Sequence, residues 1–353
     1  VEKQNATLTV HLDAIAHNVE VLQSYLQPAT QQMAVIKANA YGHGAIKIAK
    51  HLEPKVVWFS VNDIHEAVEL RGNGIRLPIL VFGIPEEETA ALYQEHKITA
   101  TVSAKEHFNI LPDGAAYHLN FDTGMGRLGF GTEEVEKVKS LMTANSNLRC
   151  TGIYSHFATA DEGDMSKMKN QFQAFKKMRS RFSSELITHM CNTAATMQLP
   201  EAQFDMIRTG IGLYGYAPGD IDIPALKPAL SWESYLIQVN PIQKSETVSY
   251  GARWQCPADG FMGVIPVGYE DGIPRSLSGK FSVLIHEKKY PVVGTVTMNY
   301  CMIFLGRDEL KPGSEVVLWN EEMNAGSWAR EIGTITYEIL TGLPAKMPRS
   351  YSG

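Results

Sequence analysis

The feature that most constrains this chain is a repeated alternation of two kinds of segment. Eight short β-branched or apolar runs occupy the first two thirds: "MAVIK", "KVVWFSV", "LPILVFG", "KITATVS", "AAYHLNFD", "CTGIYSHF", "LITHMCN" and "FDMIRTG". Segments of helical period or composition lie between them, among them "HGAIKIAKHL", "NDIHEAVELRGN", "EEETAALYQEH", "TEEVEKVKSLMTA" and "SKMKNQFQAFKKMRSRF", and an opening helix is expected at "DAIAHNVEVLQSYL". Strand–helix alternation calls for parallel strands joined by crossovers, and a count of eight predicts an α/β fold with a (β/α)8 TIM-like barrel. A doubly wound open sheet is the competing solution. No early G-x-G-x-x-G follows a strand, which favours the barrel.

The pattern changes near residue 229. "WESYLIQVN", "ETVSYGARW", "FMGVIPVGY", "KFSVLIHE", "KYPVVGTVTMNYCMIFL" and "GSEVVLWN" read as strands joined by tight turns, with one late helix near "GSWAREIG". The expected organisation is therefore a barrel over residues 9–228 followed by a mostly β C-terminal domain over 229–353. The leading strand, over 1–8, is attached to the second of these. The boundary is placed in the proline-bearing stretch "GDIDIPALKPAL".

The chain has 353 residues, a net charge of -6 and no block of like charges, so nothing favours nucleic acid or an anionic membrane as partner. Four cysteines lie far apart with no C-x-x-C pair, which argues against a disulfide framework or a zinc site and fits a reducing, cytoplasmic setting. No apolar run approaches the roughly 20 residues of a membrane span. The opening "VEKQNATLTV" carries no basic-then-apolar signal pattern.

Catalytic groups of a parallel barrel sit at the C-terminal ends of its strands, because the βα loops build that face. Strand one ends at Lys37, and strand five at Asp122 before "TGMGRLGFG" with Arg127. Strand six ends at His156, strand seven at Asn192 and Thr193, and strand eight at Arg208. Any one of these could be an ordinary polar loop residue; a Lys, two Arg, a His and a Thr on one rim point to a site. Strand eight runs into "RTGIGLYGY", where Gly210 and Ile211 offer backbone N–H groups at a recurrent phosphate position of barrels. With the hydroxyls of Thr193 and Tyr41 on the same rim, a lysine beside a phosphate cradle suggests pyridoxal 5′-phosphate bound as a Schiff base.

At this point the constellation resembles the alanine racemase family. "AVIKANAYGHG" is similar to its cofactor-lysine motif, and "DTGMGRLGF", "SHFATAD", "RTGIGLYG", "VSYG", "VGYEDG" and "GTVTMNY" follow in the family's order across nearly the whole chain. The resemblance implies interconversion of L- and D-alanine through a pyridoxal-phosphate aldimine on Lys37, supplying D-alanine for peptidoglycan. It implies phosphate contacts from Tyr41, Thr193, Gly210, Ile211 and Tyr337, with Arg208 facing the pyridine nitrogen and His156 nearby. Arg127 would contact the cofactor's phenolic oxygen and the substrate carboxylate, the Met298 N–H would help hold that carboxylate, and Tyr269 would line the entrance. Tyr250 would be the second base, reaching the barrel mouth of a partner in a head-to-tail homodimer.

Those roles are physically coherent. Racemisation needs a proton removed from one face of Cα and returned to the other, so two positioned groups are required. An arginine at the ring nitrogen stays protonated and disfavours protonation of the ring, which keeps a carbanionic intermediate short-lived.

The chain also departs from the family. Asn120 stands where many relatives carry a carbamylated lysine that orients Arg127, so a bound anion such as chloride, or water, is expected near Asn120 and Arg127. Asn299 follows Met298 where Asp is usual, and Glu270 replaces a small residue with no assigned role. Three rival readings compete with this one. One is a broad-specificity or serine-preferring racemase of the same fold. Another is a decarboxylase of similar build, disfavoured because Arg208 is not an acid. The third is a non-catalytic cofactor carrier, disfavoured by the retained β-rich domain.

Overall fold

The computed structural model describes residues 4–219 and 221–353; residues 1–3 of the expected leading strand lie outside the described residues. The chain forms a near-closed barrel of eight parallel strands followed by a mostly β C-terminal domain. Two compact units are present. One comprises Ile15–Ala40 and Gly44–Leu226; the other comprises the residues up to Ala14, Tyr41–His43 and Lys227–Gly353.

In the first unit the barrel strands are Gln31–Val35, Trp58–Val61, Ile79–Val81, Ala100–Val102, Ala116–Asp122, Arg149–Tyr154, Ile187–His189 and Met206–Thr209. All eight overlap the eight apolar runs, and six lie wholly within them; Gln31–Val35 and Arg149–Tyr154 begin one or two residues earlier. The last strand pairs with the first (Arg208 opposite Met33), and a parallel bridge between Leu80 and Thr99 joins the third strand to the chain entering the fourth, so the sheet comes round on itself. Most strand positions are buried, as expected for parallel strands covered on both faces.

The helices carry their apolar residues at helical spacing. Ser166–Arg179 buries Met168, Gln171, Phe172, Phe175 and Met178, a stripe at i, i+3, i+4, i+7 and i+10. Ile64–Gly72 buries Ile64, Ala67 and Leu70, and opens on a capping box in which Asp63 accepts from the His65 N–H and Glu66 reaches back to the N-cap backbone.

The β-rich unit is built on a nine-stranded sheet. Thr7–His11 lies in it, antiparallel to Leu230–Tyr235 and parallel to Arg349–Ser352. Trp232, Trp319 and Trp328 pack edge to face or tilted at centroid distances of 5.0–5.6 Å, a geometry that adds to simple area burial. The run "KYPVVGTVTMNYCMIFL" is two strands, Lys288–Val293 and Cys301–Gly306. Two late helices are present rather than the single one expected: Ala325–Ile332, and Thr336–Thr341, which carries Tyr337. At six residues, the second is too short to show helical periodicity in sequence.

One local conformation was invisible in sequence. The strand ends at Val35, two residues before Lys37, and the chain then turns left-handed: Ala38, Asn39, Ala40 and Tyr41 all have φ of 51–54°. L-residues pay about 1–2 kcal/mol each for this region and rarely occupy it in succession. Gly42 continues the turn at φ 82°, and a Cβ there would lie 2.6 Å from the Leu340 carbonyl oxygen, so only glycine fits. Within the β-rich unit, the Gly42 carbonyl accepts from Arg349 Nε (2.9 Å) and the His43 carbonyl from the Tyr351 hydroxyl (3.2 Å).

Ala38 is exposed, so its methyl group contributes strain without burial. Ala38→Gly is expected to hold or raise the melting temperature, against the loss of about 1 kcal/mol for the same change in an ordinary helix. A drop of that size on calorimetry would contradict the left-handed assignment.

Candidate active site

Arg208 sits on the last barrel strand and is fully buried as a side chain. A buried guanidinium must be satisfied by acceptors, and here they come from two neighbouring strands. Nη1 donates to His189 Nδ1 (2.7 Å), and Nη2 is shared among the Ser155 carbonyl (2.8 Å), the Met190 carbonyl (3.0 Å) and His156 Nδ1 (3.0 Å). The guanidinium lies 5.4 Å from the centre of the Tyr154 ring, which is itself stacked on His189 at 4.8 Å and 7°. Burial pulls Arg208 down to about 10, which leaves it protonated at neutral pH.

This network fixes the histidine tautomers. Arginine only donates, so Nδ1 of both His156 and His189 must accept, and each ring keeps its proton on Nε2. His189 Nε2–H then donates to His118 Nδ1 (2.9 Å), leaving the His118 proton on its own Nε2, which has no partner among the described residues. Burial, and then the Arg208 charge, hold His118 down to about 3 and His156 and His189 well below the usual imidazole value. Gly152 makes room for this chain, since a Cβ there would lie 2.6 Å from the His118 ring.

Lys37, two residues past the end of the first strand, is half-buried. Burial, then the Arg127 charge, lower its proton affinity, and Glu66 opposes them. Arg127 and Lys37 also depress His156 after Arg208 does, so Lys37, Arg127, His156 and Arg208 share one field at the barrel mouth. Beside strand eight, Gly210 N–H donates to the Thr193 hydroxyl oxygen (3.1 Å), and the chain enters the turn Ile211–Tyr214. The barrel unit thus gathers Lys37, Arg127, His156, Thr193, Arg208, Gly210 and Ile211.

Arg127 is presented by a turn fixed on both sides. The Asp122 carboxylate accepts the N–H groups of Gly124, Met125 and Gly126 at 2.8–2.9 Å, and Asn120 Nδ2 donates to the Leu128 carbonyl at 3.2 Å. Asn120 therefore holds the backbone next to Arg127, whose own side chain makes no hydrogen bond or ion pair among the described residues.

The remaining expected site residues belong to the β-rich unit. The rings of Tyr41 and Tyr337 lie 5.9 Å apart, and burial, then Tyr337, push the Tyr41 phenol up. One segment links the other three: Thr295 Oγ1 donates to the Tyr250 carbonyl (2.8 Å), Tyr269 N–H to the Thr297 carbonyl (2.9 Å) and Glu270 N–H to the Met298 carbonyl (3.0 Å). Tyr250 is 72% exposed and Met298 52%. Asn299 Nδ2 donates to Glu270 Oε2 at 2.6 Å, and Lys346 pairs with the other oxygen, so the two unusual residues of this region are partners.

Sequence reasoning missed His118, His189 and Tyr154, which it treated as strand interior. It also missed Gln171, whose buried amide accepts from the Ala158 N–H and donates to the His156 carbonyl. The available signal was a polar residue on an otherwise apolar strand or helix face.

A barrel mouth with a lysine of lowered proton affinity, two arginines and a neutral histidine is that of an enzyme. Residues 10–218 match the alanine racemase N-terminal domain model, and residues 229–351 match the C-terminal one. Alanine racemase 2 of Bacillus subtilis (strain 168) is 38% identical over 98% of this chain and 94% of its own length. The Carboxydothermus hydrogenoformans alanine racemase is 38% identical over 97% and 98%. Among solved structures, the Clostridium difficile 630 alanine racemase superposes with a TM-score of 0.94 at 32% identity, covering 100% of this chain and 97% of that one. The chain belongs to the alanine racemase family, and it is an isomerase.

The buried histidines make the barrel acid-sensitive. Below the reference value near 6.5 the unfolded chain binds protons that the folded barrel refuses, so stability is full above that pH and falls on acidification, by up to ~1.4 kcal/mol per pH unit for each histidine. The melting temperature is expected to fall from about pH 6.5 to about pH 5, and His118→Phe to lower it at neutral pH while reducing that slope. An unchanged slope would contradict the neutral assignment.

Proposed function

We propose that this chain racemises alanine with pyridoxal 5′-phosphate held on Lys37. The observation that supports this best is the Lys37 amine, its proton affinity lowered by burial and Arg127, on the same rim as Arg208. The chain's residues fit the cofactor. A primary amine is available for attachment, the surrounding charge is positive, and Arg208 Nε–H donates to none of the described residues, so a donor remains for a ring nitrogen. Thr193, Gly210, Ile211, Tyr41 and Tyr337 would hold the phosphate. Residues 9–228 would be the barrel domain, and 229–353 with the leading strand the β-rich one.

When bound, pyridoxal 5′-phosphate supplies a conjugated sink for the electron pair left as the α-proton departs. Lys37 takes or returns that proton at Nζ on one face, which its lowered proton affinity favours near neutral pH. Tyr250 of the partner subunit does the same at its hydroxyl on the other face. Arg127, with the Met298 N–H, fixes the substrate carboxylate, and Tyr269 lines the approach. Arg208, held by His189, His156 and two carbonyls, has donors and no acceptor, so it would donate to the ring nitrogen. His156 is neutral and serves to orient Arg208. A chloride ion or water between Asn120 and Arg127 would complete the latter's environment. The working form is a head-to-tail homodimer in the cytoplasm, making D-alanine for peptidoglycan.

Circular dichroism of L-alanine incubated with protein and cofactor is expected to decay to zero, with no decay for Lys37→Ala and a kcat reduced about 10²–10⁴-fold for Tyr250→Phe. Retention of activity by Lys37→Ala would sink the reading. Mixing the two inactive variants tests the shared site: exchange into heterodimers pairs one intact site with one doubly altered site, restoring roughly a quarter of wild-type activity. No recovery after demonstrated exchange would place both bases in one chain.

A further inference from the structure

The strained turn after Lys37 needs something to hold it. Four successive left-handed residues do not persist unless their surroundings over-determine them. Within the barrel unit the Ala40 N–H donates to the Ile36 carbonyl (2.9 Å), and a further set of bonds passes through one residue, Asn39. Asn39 N–H donates to Glu66 Oε1 (3.3 Å), the Asn39 side-chain oxygen accepts from Ala45 N–H (2.8 Å), and the Asn39 carbonyl accepts from Gly44 N–H (2.9 Å). The other oxygen of Glu66 accepts the N–H groups of Asn62 (3.0 Å) and Asp63 (3.3 Å) at the head of helix Ile64–Gly72. Glu66 thus does two things at once: it caps one helix, and it fastens the left-handed turn to that helix.

We propose that Glu66, acting through Asn39, is a positioning residue for Lys37: it locks the left-handed turn and thereby sets the direction in which the lysine amine leaves the first barrel strand. The capping box by itself would explain only the Oε2 contacts. The Oε1 contact reaches a different segment, two residues beyond Lys37, and a cap has no use for it. Asn39 suits its place because asparagine tolerates the left-handed region better than other non-glycine residues. The Glu66 charge also raises the proton affinity of Lys37, opposing Arg127, so its removal has a second and separable signature.

The inference rests on Lys37 being the cofactor's lysine. Its test is the rate at which full-length apoprotein, mixed with pyridoxal 5′-phosphate, acquires a borohydride-trapped adduct at Lys37, mapped by peptide mass across a pH series. The comparison is Glu66→Ala against Asp63→Ala, which removes the other half of the capping box and leaves Oε1 in place. On the alkaline plateau, where the amine is neutral in every variant, Glu66→Ala is expected to slow trapping roughly 10- to 100-fold, while Asp63→Ala matches wild type despite a comparable drop in melting temperature. The pH midpoint of trapping is expected to move downward in Glu66→Ala alone. Should Glu66→Ala fail to fold, Glu66→Gln replaces it: with one acceptor oxygen in place of two, it cannot serve both the N–H groups of Asn62 and Asp63 and the Asn39 N–H, and slower trapping than in Asp63→Ala is again expected. Trapping by the Glu66 variant that folds at the same rate as by Asp63→Ala overturns the inference. An adduct on another residue of the wild-type protein would overturn the reading of Lys37 itself, which is a different result.

Discussion

The barrel unit depends on one buried positive charge. Arg208 lies inside the fold, where an unpaired guanidinium would cost several kcal/mol, and it is tolerated because two neighbouring strands and the loops beyond them turn acceptors toward it. No carboxylate is among them. The charge is met by carbonyl oxygens and imidazole nitrogens, which satisfy its donors without cancelling it. That choice propagates outward: it dictates the tautomers of His156, His189 and His118, keeps all three neutral, and leaves the barrel mouth positively charged. A carboxylate in place of His189 would neutralise Arg208 and remove the reason for the histidine chain.

Lys37 answers the same field from just past the end of the adjacent strand. Its amine is less basic than an exposed lysine because it is partly desolvated and faces Arg127, and Glu66 limits the effect. Proton affinity and direction are set by different devices. The charges fix the first, while the left-handed turn with its Asn39 and Glu66 contacts bears on the second. Strain of this kind is held in place by surrounding bonds, so the residues that hold it belong to the site even where they touch no reacting atom.

The two unusual residues of the β-rich unit illustrate how a local substitution is absorbed. Asn299 and Glu270 have no evident purpose when read singly, yet the amide of one donates to the carboxylate of the other, with Lys346 on the far oxygen. Asn120 behaves in a related way, holding the carbonyl beside Arg127 through its amide. In both places a side-chain amide is fixed by a single neighbour, a carboxylate for Asn299 and a backbone carbonyl for Asn120.

The eight strands, the helices between them, and Lys37, His156 and Arg208 at or just past strand ends were legible in the sequence. Apolar periodicity and the position of a residue at the end of a run are local properties, and they survive without knowledge of the partner strand. The short helix around Tyr337 escaped because six residues carry less than two turns of pattern, and the left-handed turn escaped because nothing in "KANAY" forbids an ordinary helical turn. Only the tertiary structure decided which nitrogen of each buried histidine carries the proton, how strongly Lys37 and Arg208 hold theirs, and that Glu66 bonds a segment 27 residues before it. Those properties come from desolvation and from contacts between residues distant in sequence, and neither exists until the barrel has closed.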